Sequence, residues 1–235
     1  MSAPDISRKQ MATATNAKSD DRSVEEIFLH LAAGIDEVEA YNNPHATRVA
    51  SIADGIARVL NLGRQDRFSL RIAALAHDLG EMVMRRDYFA RTGPLSMDER
   101  VDLARHPLIG EREAARAGAN RGAQLLVRWH HEWWNGSGYP DGLRFEQIPL
   151  GARILRVADS YAALTDARPF REAFSELQAR SHLLKWVGLE FDPQVVRAFL
   201  ALESIKEFKS YGSARAAPVV SDETISNLQP MVKEL

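Results

Sequence analysis

Phe68-Ser69-Leu70-Arg71-Ile72-Ala73-Ala74-Leu75-Ala76-His77-Asp78-Leu79-Gly80 is the stretch on which the reading of this chain turns. Its apolar residues recur at helical spacing and run directly into an imidazole, a carboxylate and a glycine. The spacing predicts a helix that carries His77 and Asp78 in its final turns and stops at Gly80. The same rhythm repeats on both sides. Upstream, Ser23 and Glu26 have capping-box spacing, and Ile27, Leu31, Ile35 and Val38 follow as the inner face of an opening helix over 23–41. A second helix is expected from His45 to Leu60, with Val49, Ile52, Ala53, Ile56 and Leu60 inward and Gly63 just beyond its end.

Downstream, Ser96 and Glu99 form another capping box, and helical spacing continues through His106-Pro107 and Leu125-Leu126-Val127 to His130-His131. Residues 132–148 carry Asn135-Gly136-Ser137-Gly138 and Asp141-Gly142, turn chemistry that makes a compact functional loop. Pro149 is expected at the first position of a helix to Leu164, which places Asp159 among Ile154, Leu155, Val157, Ala158 and Tyr161. Helices near 175–187 and from Asp192-Pro193 complete an all-α pattern without repeats or strand-rich segments. Residues 1–22 read as a disordered tail, 23–204 as the folded domain and 205–235 as a C-terminal tail.

Composition narrows the chemistry. The 235 residues include no cysteine, which excludes disulfides, thiolate metal sites and a cysteine nucleophile. A formal charge of -2 provides no broad positive field for long nucleic acid, so an anionic ligand should be small. No apolar run spans a bilayer or forms a secretory signal, and the cytoplasm is the expected compartment.

Five of the seven histidines stand at helix ends or beside acids. One His-Asp pair is weak evidence, because such a histidine often only caps carbonyls. Accumulation changes the balance. His130-His131 adds two imidazoles at one helix end, and Asp159 in an apolar helix needs a positive partner, either a metal ion or an arginine such as Arg153 or Arg156. Neighbouring residues on a helix diverge by about 100°, so His77 with Asp78, and His130 with His131, are placed to serve two adjacent ions with Asp78 between them. Such a pair can generate hydroxide near neutral pH and neutralise a phosphoryl group.

The ordered series His77-Asp78-Leu79-Gly80, His106-Pro107, His130-His131-Glu132, Gly136-Ser137-Gly138-Tyr139-Pro140, Ile148-Pro149 with Ala152-Arg153, Val157-Ala158-Asp159, Ala163-Leu164-Thr165, Arg168-Pro169-Phe170-Arg171 and Phe191-Asp192-Pro193 resembles the HD-GYP branch of the HD superfamily of metal-dependent phosphohydrolases. The resemblance covers roughly residues 45–200. It implies an all-helical HD core with additional helices, and hydrolysis of cyclic di-GMP to pGpG or GMP through a hydroxide bridging two ions. It also implies that His45, His77, Asp78, His106, His130, His131 and Asp159 are metal ligands. The implied cofactors are two divalent transition ions, iron or manganese first, with zinc compatible with the same donors. Asp78 and Glu81 occupy the catalytic positions, and Arg168, Arg171, Arg153 and Tyr139 are the implied substrate contacts, while Trp133 and Trp134 offer faces for guanine. A diguanylate cyclase or adaptor protein is the implied partner of the Gly-Tyr-Pro loop.

The chain departs from the family pattern at Glu81, where lysine is usual. A phosphate-binding cation has become an anion, which predicts weakened or altered catalysis unless Glu81 binds metal, pairs with Arg85 or Arg86, or points away. Asn135, Trp133 and Ala162 are milder departures, and Tyr41 stands where members with a third metal carry an acid, so two ions are expected. The competing expectations are an HD-type hydrolase of another nucleotide or phosphomonoester, and a catalytically weak cyclic di-GMP receptor or scaffold.

Overall fold

The fold is described from a computed structural model, which defines residues 23–36, 44–84, 86–89, 93–167 and 172–210, with side chains to residue 202. The described residues form helices joined by turns, with no strand among them and an isolated bridge between Val187 and Phe191. The opening helix α1 covers 23–36. It is followed by α2 (His45–Val59), α3 (Arg64–Ala76), α4 (Leu79–Met84), α5 (Met97–Leu103), α6 (His106–Arg116), α7 (Arg121–Trp129), α8 (Leu150–Leu164), α9 (Glu176–Lys185) and α10 (Pro193–Ser210).

Packing follows the apolar spacing. α2 lies against α3 and α8, α3 against α7, and α6 against α4 and α7, so the ends of α2, α3, α6 and α7 meet around the middle of α8. Val49, Ala53 and Ile56 of α2 are fully buried with Leu70, Ile72 and Leu75 of α3 and with Ile154, Leu155 and Val157 of α8. Each fully buried aliphatic side chain contributes about 1.5–3 kcal/mol, so this shared core holds the helix ends in register.

Several expectations are corrected in detail. In α1 Ile35 is buried as expected and Leu31 is partly buried against the core, but Phe28 and Ala32 complete the buried face and Ile27 is exposed. Residues 37–41 of the expected opening helix lie outside the described residues. Gly63 does not close α2. It is the extended N-cap of α3, and Asn61 at φ 56 makes the turn. Pro149 is the N-cap of α8 instead of its first residue. α10 runs past residue 204 to Ser210. The capping box of Ser96 and Glu99 is present as read.

Gly80 is the most informative correction. It does not end a helix but is the second residue of α4, after a break at His77 and Asp78. A Cβ at position 80 would stand 2.1 Å from the carbonyl oxygen of His106. Only glycine lets α4 approach the start of α6 this closely, and that approach sets His106 beside Asp78.

Candidate metal centre

The helix ends deliver the side chains. His45 is the first residue of α2, His77 closes α3, His106 opens α6 and His130 closes α7. His45, His77, His106 and His130 are at most 1% exposed, and Asp78 and Asp159 are also buried. Two groups of donor atoms result, His45 with His77 and Asp78, and Asp78 with His106, His130 and His131; within each group the atoms lie within 4.8 Å of one another. Asp78 belongs to both. Its Oδ2 is 2.8 Å from His77 Nε2, while its Oδ1 is 3.4 Å from His106 Nε2 and 3.6 Å from His130 Nε2. Asp159 joins the first group, with Oδ1 3.3 Å from His45 Nε2 and 3.8 Å from His77 Nε2.

The hydrogen bonds of the imidazoles test whether metal ions fit. His77, His106 and His130 turn Nδ1 to the carbonyls of Ala74, Leu103 and Val127 at 2.9, 2.9 and 2.6 Å. A carbonyl only accepts, so each Nδ1 carries a proton and each neutral ring directs an Nε2 lone pair into the centre. His106 and His130 then face each other Nε2 to Nε2 at 3.2 Å. Two lone pairs at that distance repel unless a cation stands between them or close by. Burial pushes the His106 pKa down to about 4, an upward pull from Asp78 offsetting only part of this and His130 adding to the fall, so a proton does not fill that role at neutral pH. The donor set therefore fits divalent ions bound by imidazole and carboxylate, with the carbonyls of Ala74, Leu103 and Val127 orienting the rings.

The acids are tuned to the same end. Burial raises the Asp78 carboxyl, but the facing imidazoles of His77 first, then His130 and His106, hold it well below the usual carboxylate range. Asp159 is lowered in the same way, burial being outweighed by the hydrogen bond from His45 and by His77. Glu81 differs. Its Oε1 is 3.7 Å from His106 Nδ1, and burial, then the charges of Asp78 and Asp159, push it well above the ordinary range. Of the escapes the sequence left open for Glu81, pairing with Arg86 is not made, because Arg86 donates to Asp102 at 2.7 Å; Arg85 lies outside the described residues.

The 132–148 loop covers the centre. Gly138 permits its return onto the end of α7: a Cβ there would lie 2.2 Å from Trp133 N and 2.4 Å from His131 O. Tyr139 N donates to His131 O, and the Tyr139 ring stacks on His131 at 4.8 Å between centroids. Glu132, buried, accepts from Asp141 N at 2.7 Å and anchors the far side of the loop. Trp133 packs on Trp186 and Trp134 on Phe145, so both indoles contact protein neighbours.

Of the two arginines of α8 read as possible partners of Asp159, Arg156 reaches it and Arg153 does not. Arg153 donates to Ile148 O at 2.9 Å and to Asp192 Oδ2 at 2.6 Å, with its guanidinium 5.5 Å from the Trp134 ring centroid. The structure thus engages Arg153 in a buried ion pair between α8 and the start of α10, where the sequence suggested a substrate contact. Arg156 lies at the centre itself, 3.1 Å from His131 Nδ1 and 3.5 Å from Asp159 Oδ2, and is neutralised by Glu190. Neither Glu190 nor Asp36, whose carboxylate accepts from Ala46 N at the start of α2, was singled out from sequence. Asp36 is the last described residue of α1, and no local pattern links it to His45. Arg168 and Arg171 lie outside the described residues.

With this geometry established, comparison with known proteins places the chain. Residues 31–195 match the HD domain family. The chain belongs to that family. The HD domain is 35% identical over 218 residues to the cyclic di-GMP phosphodiesterase response regulator RpfG of Xanthomonas campestris pv. campestris, a match covering 89% of this chain and 57% of that protein. It is 33% identical over 168 residues to a cyclic di-GMP phosphodiesterase of Thermotoga maritima, covering 68% of this chain and 44% of the relative. The chain thus spans about half the length of these relatives. Among solved structures, a cyclic GMP-AMP specific phosphodiesterase of V. cholerae superposes with a TM-score of 0.65 at 20% identity, over 81% of this chain and 51% of that one, and shares the all-helical HD fold. No helix among the described residues is long and apolar enough to cross a membrane.

Proposed function

We propose that this HD domain is a metal-dependent phosphodiesterase that hydrolyses cyclic di-GMP to pGpG or GMP. The observation that carries the reading is Asp78, whose two carboxylate oxygens face two different groups of histidines. His45, His77, Asp78 and Asp159 would hold one ion, and Asp78, His106, His130 and His131 the other. When bound, two such ions supply a water ionised near neutral pH and neutralise charge on the phosphoryl group. Iron or manganese suits this donor set, and zinc is compatible with it.

The remaining roles belong to the chain. Asp78 fixes the spacing of the two groups, and the carbonyls of Ala74, Leu103 and Val127 orient the imidazoles. Tyr139, stacked on His131, restricts water above the centre and offers the edge of the substrate pocket; burial raises its phenol and keeps it neutral. Arg168 and Arg171, which follow α8 in sequence, would take the substrate phosphates as planar, always-charged forks. Glu81 in place of lysine withdraws one phosphate contact, so turnover is expected to be slow. The relatives named as cyclic di-GMP phosphodiesterases support the choice of substrate.

The test is hydrolysis of cyclic di-GMP by protein reconstituted with iron or manganese, with products separated by chromatography and a phosphomonoester as comparison. pGpG or GMP is the expected product. Binding without turnover at high protein concentration would favour a receptor instead, and phosphate release from the monoester alone would move the activity to another substrate class.

A further inference from the structure

Among the described residues, Arg156 is the cation that the fold drives into the proposed metal centre. It stands one helical turn before Asp159 on α8, so both side chains leave the same face. Its Nη1 reaches His131 Nδ1 at 3.1 Å and Asp159 Oδ2 at 3.5 Å, and its Nη2 donates to Glu190. The side chain is 13% exposed and Glu190 4%, so this is a buried pair with its own neutralising carboxylate. Trp134 N donates to Glu190 O, which ties the same carboxylate-bearing turn to the covering loop.

A guanidinium has five donors and no acceptor. The His131 Nδ1 that it touches must therefore be the ring's acceptor, and the neutral ring carries its proton on Nε2. In this arrangement His131 has no lone pair left for an ion, unlike His77, His106 and His130, whose Nδ1 protons point at carbonyls. His131 becomes a ligand only after Arg156 gives up that contact. The other group of donors keeps Asp159 Oδ1, which faces His45 and His77 and not the guanidinium.

We infer that Arg156 competes with metal for His131, so that the ion facing Asp78, His106, His130 and His131 binds later and more weakly than the ion facing His45, His77 and Asp78. This rests on the two-ion reading above and adds an order of filling to it. A fixed positive charge beside a forming divalent site adds repulsion to the lost ligand. The centre would thus pass through a state with one ion at low metal concentration, and its activity would follow the second.

Metal-stripped protein titrated with Mn²⁺, read by calorimetry and by the electron paramagnetic resonance of bound and spin-coupled ions, tests this. Wild type is expected to fill in two separated steps. Arg156→Met should tighten the second step about tenfold or more while leaving the first nearly unchanged, and Arg156→Lys, which retains a cation, should keep the steps apart. Since methionine strands Glu190 as a buried unpaired charge, the double variant Arg156→Met, Glu190→Gln is measured beside it. It preserves the local net charge and should show the same tightening. A second step unmoved in both methionine variants overturns the inference, as does equal tightening by lysine. Two equal steps in wild type would sink the inference and leave the two-ion reading standing, whereas no Mn²⁺ bound by any variant would sink both.

Discussion

His106 and His130 meet Nε2 to Nε2 at 3.2 Å, each having already directed its Nδ1 to a carbonyl of the turn before it. That contact is electrostatically unfavourable in an empty protein and favourable around a divalent ion. Metal should therefore stabilise the fold. Free Mn²⁺ at a hundredfold excess over its dissociation constant adds about 2.7 kcal/mol, which raises the Tm of a domain this size by roughly 5–10 °C. Scanning calorimetry before and after chelation is the measurement, and His130→Ala should lose most of the metal-dependent shift. A Tm indifferent to Mn²⁺ in the native protein would contradict the assignment.

The pH dependence of the metal-free protein should follow His106. Its pKa falls from 6.5 to about 4 on folding because burial disfavours the imidazolium. Between those values the unfolded chain binds the extra proton, so stability rises with pH and is lost as pH falls from 6.5 towards 4. A shift of this size corresponds to about 3 kcal/mol. Urea unfolding of chelated protein at pH 7, 5.5 and 4.5 should show the decline, and His106→Gln should flatten it.

Glu81 should show the opposite dependence. Burial and the nearby Asp78 and Asp159 raise its carboxyl well above 4.5. A carboxyl raised on folding contributes its full stability below the unfolded value and loses it as pH rises through the folded one. In chelated protein Glu81→Gln should therefore stabilise at pH 7 and do nothing at pH 4. In the metal-loaded enzyme, Glu81→Lys should raise the rate of cyclic di-GMP hydrolysis by restoring a phosphate-binding cation. An unchanged or lower rate would give Glu81 a role of its own.

Arg153 offers a test of structure against substrate contact. Its ion pair with Asp192 is buried, and Asp192 is otherwise held by Gln194 N at 2.7 Å. Arg153→Met leaves that carboxylate uncompensated and should cost about 3–5 kcal/mol in denaturant unfolding. KM for the substrate should change little at temperatures where the variant is folded. A raised KM with unchanged stability would return Arg153 to the substrate pocket.

Much of this protein was legible in one dimension. The apolar spacing around Leu70–Leu75 and Ile154–Ala158 gave helices at the right places, because a buried helix face must recur every three to four residues whatever it packs against. The helix ends bearing His45, His77 and His130 were also readable, since Pro, Gly and capping residues punctuate them locally, whereas the break that makes His106 the start of α6 was read as continuous helix. What the chain order does not contain is distance between elements. Gly80 looked like a helix stop because its real constraint, the carbonyl of His106, lies on another helix.

Donor types and their attachment to helix ends were thus determined by sequence, being properties of single residues and their near neighbours. The tertiary structure alone decided that Asp78 directs one oxygen to each group of histidines, that Arg153 is spent on Asp192, and that Arg156 reaches His131. These depend on how α8 packs across α2 and α7, and a charged group's role is fixed by the charges brought within a few ångströms of it.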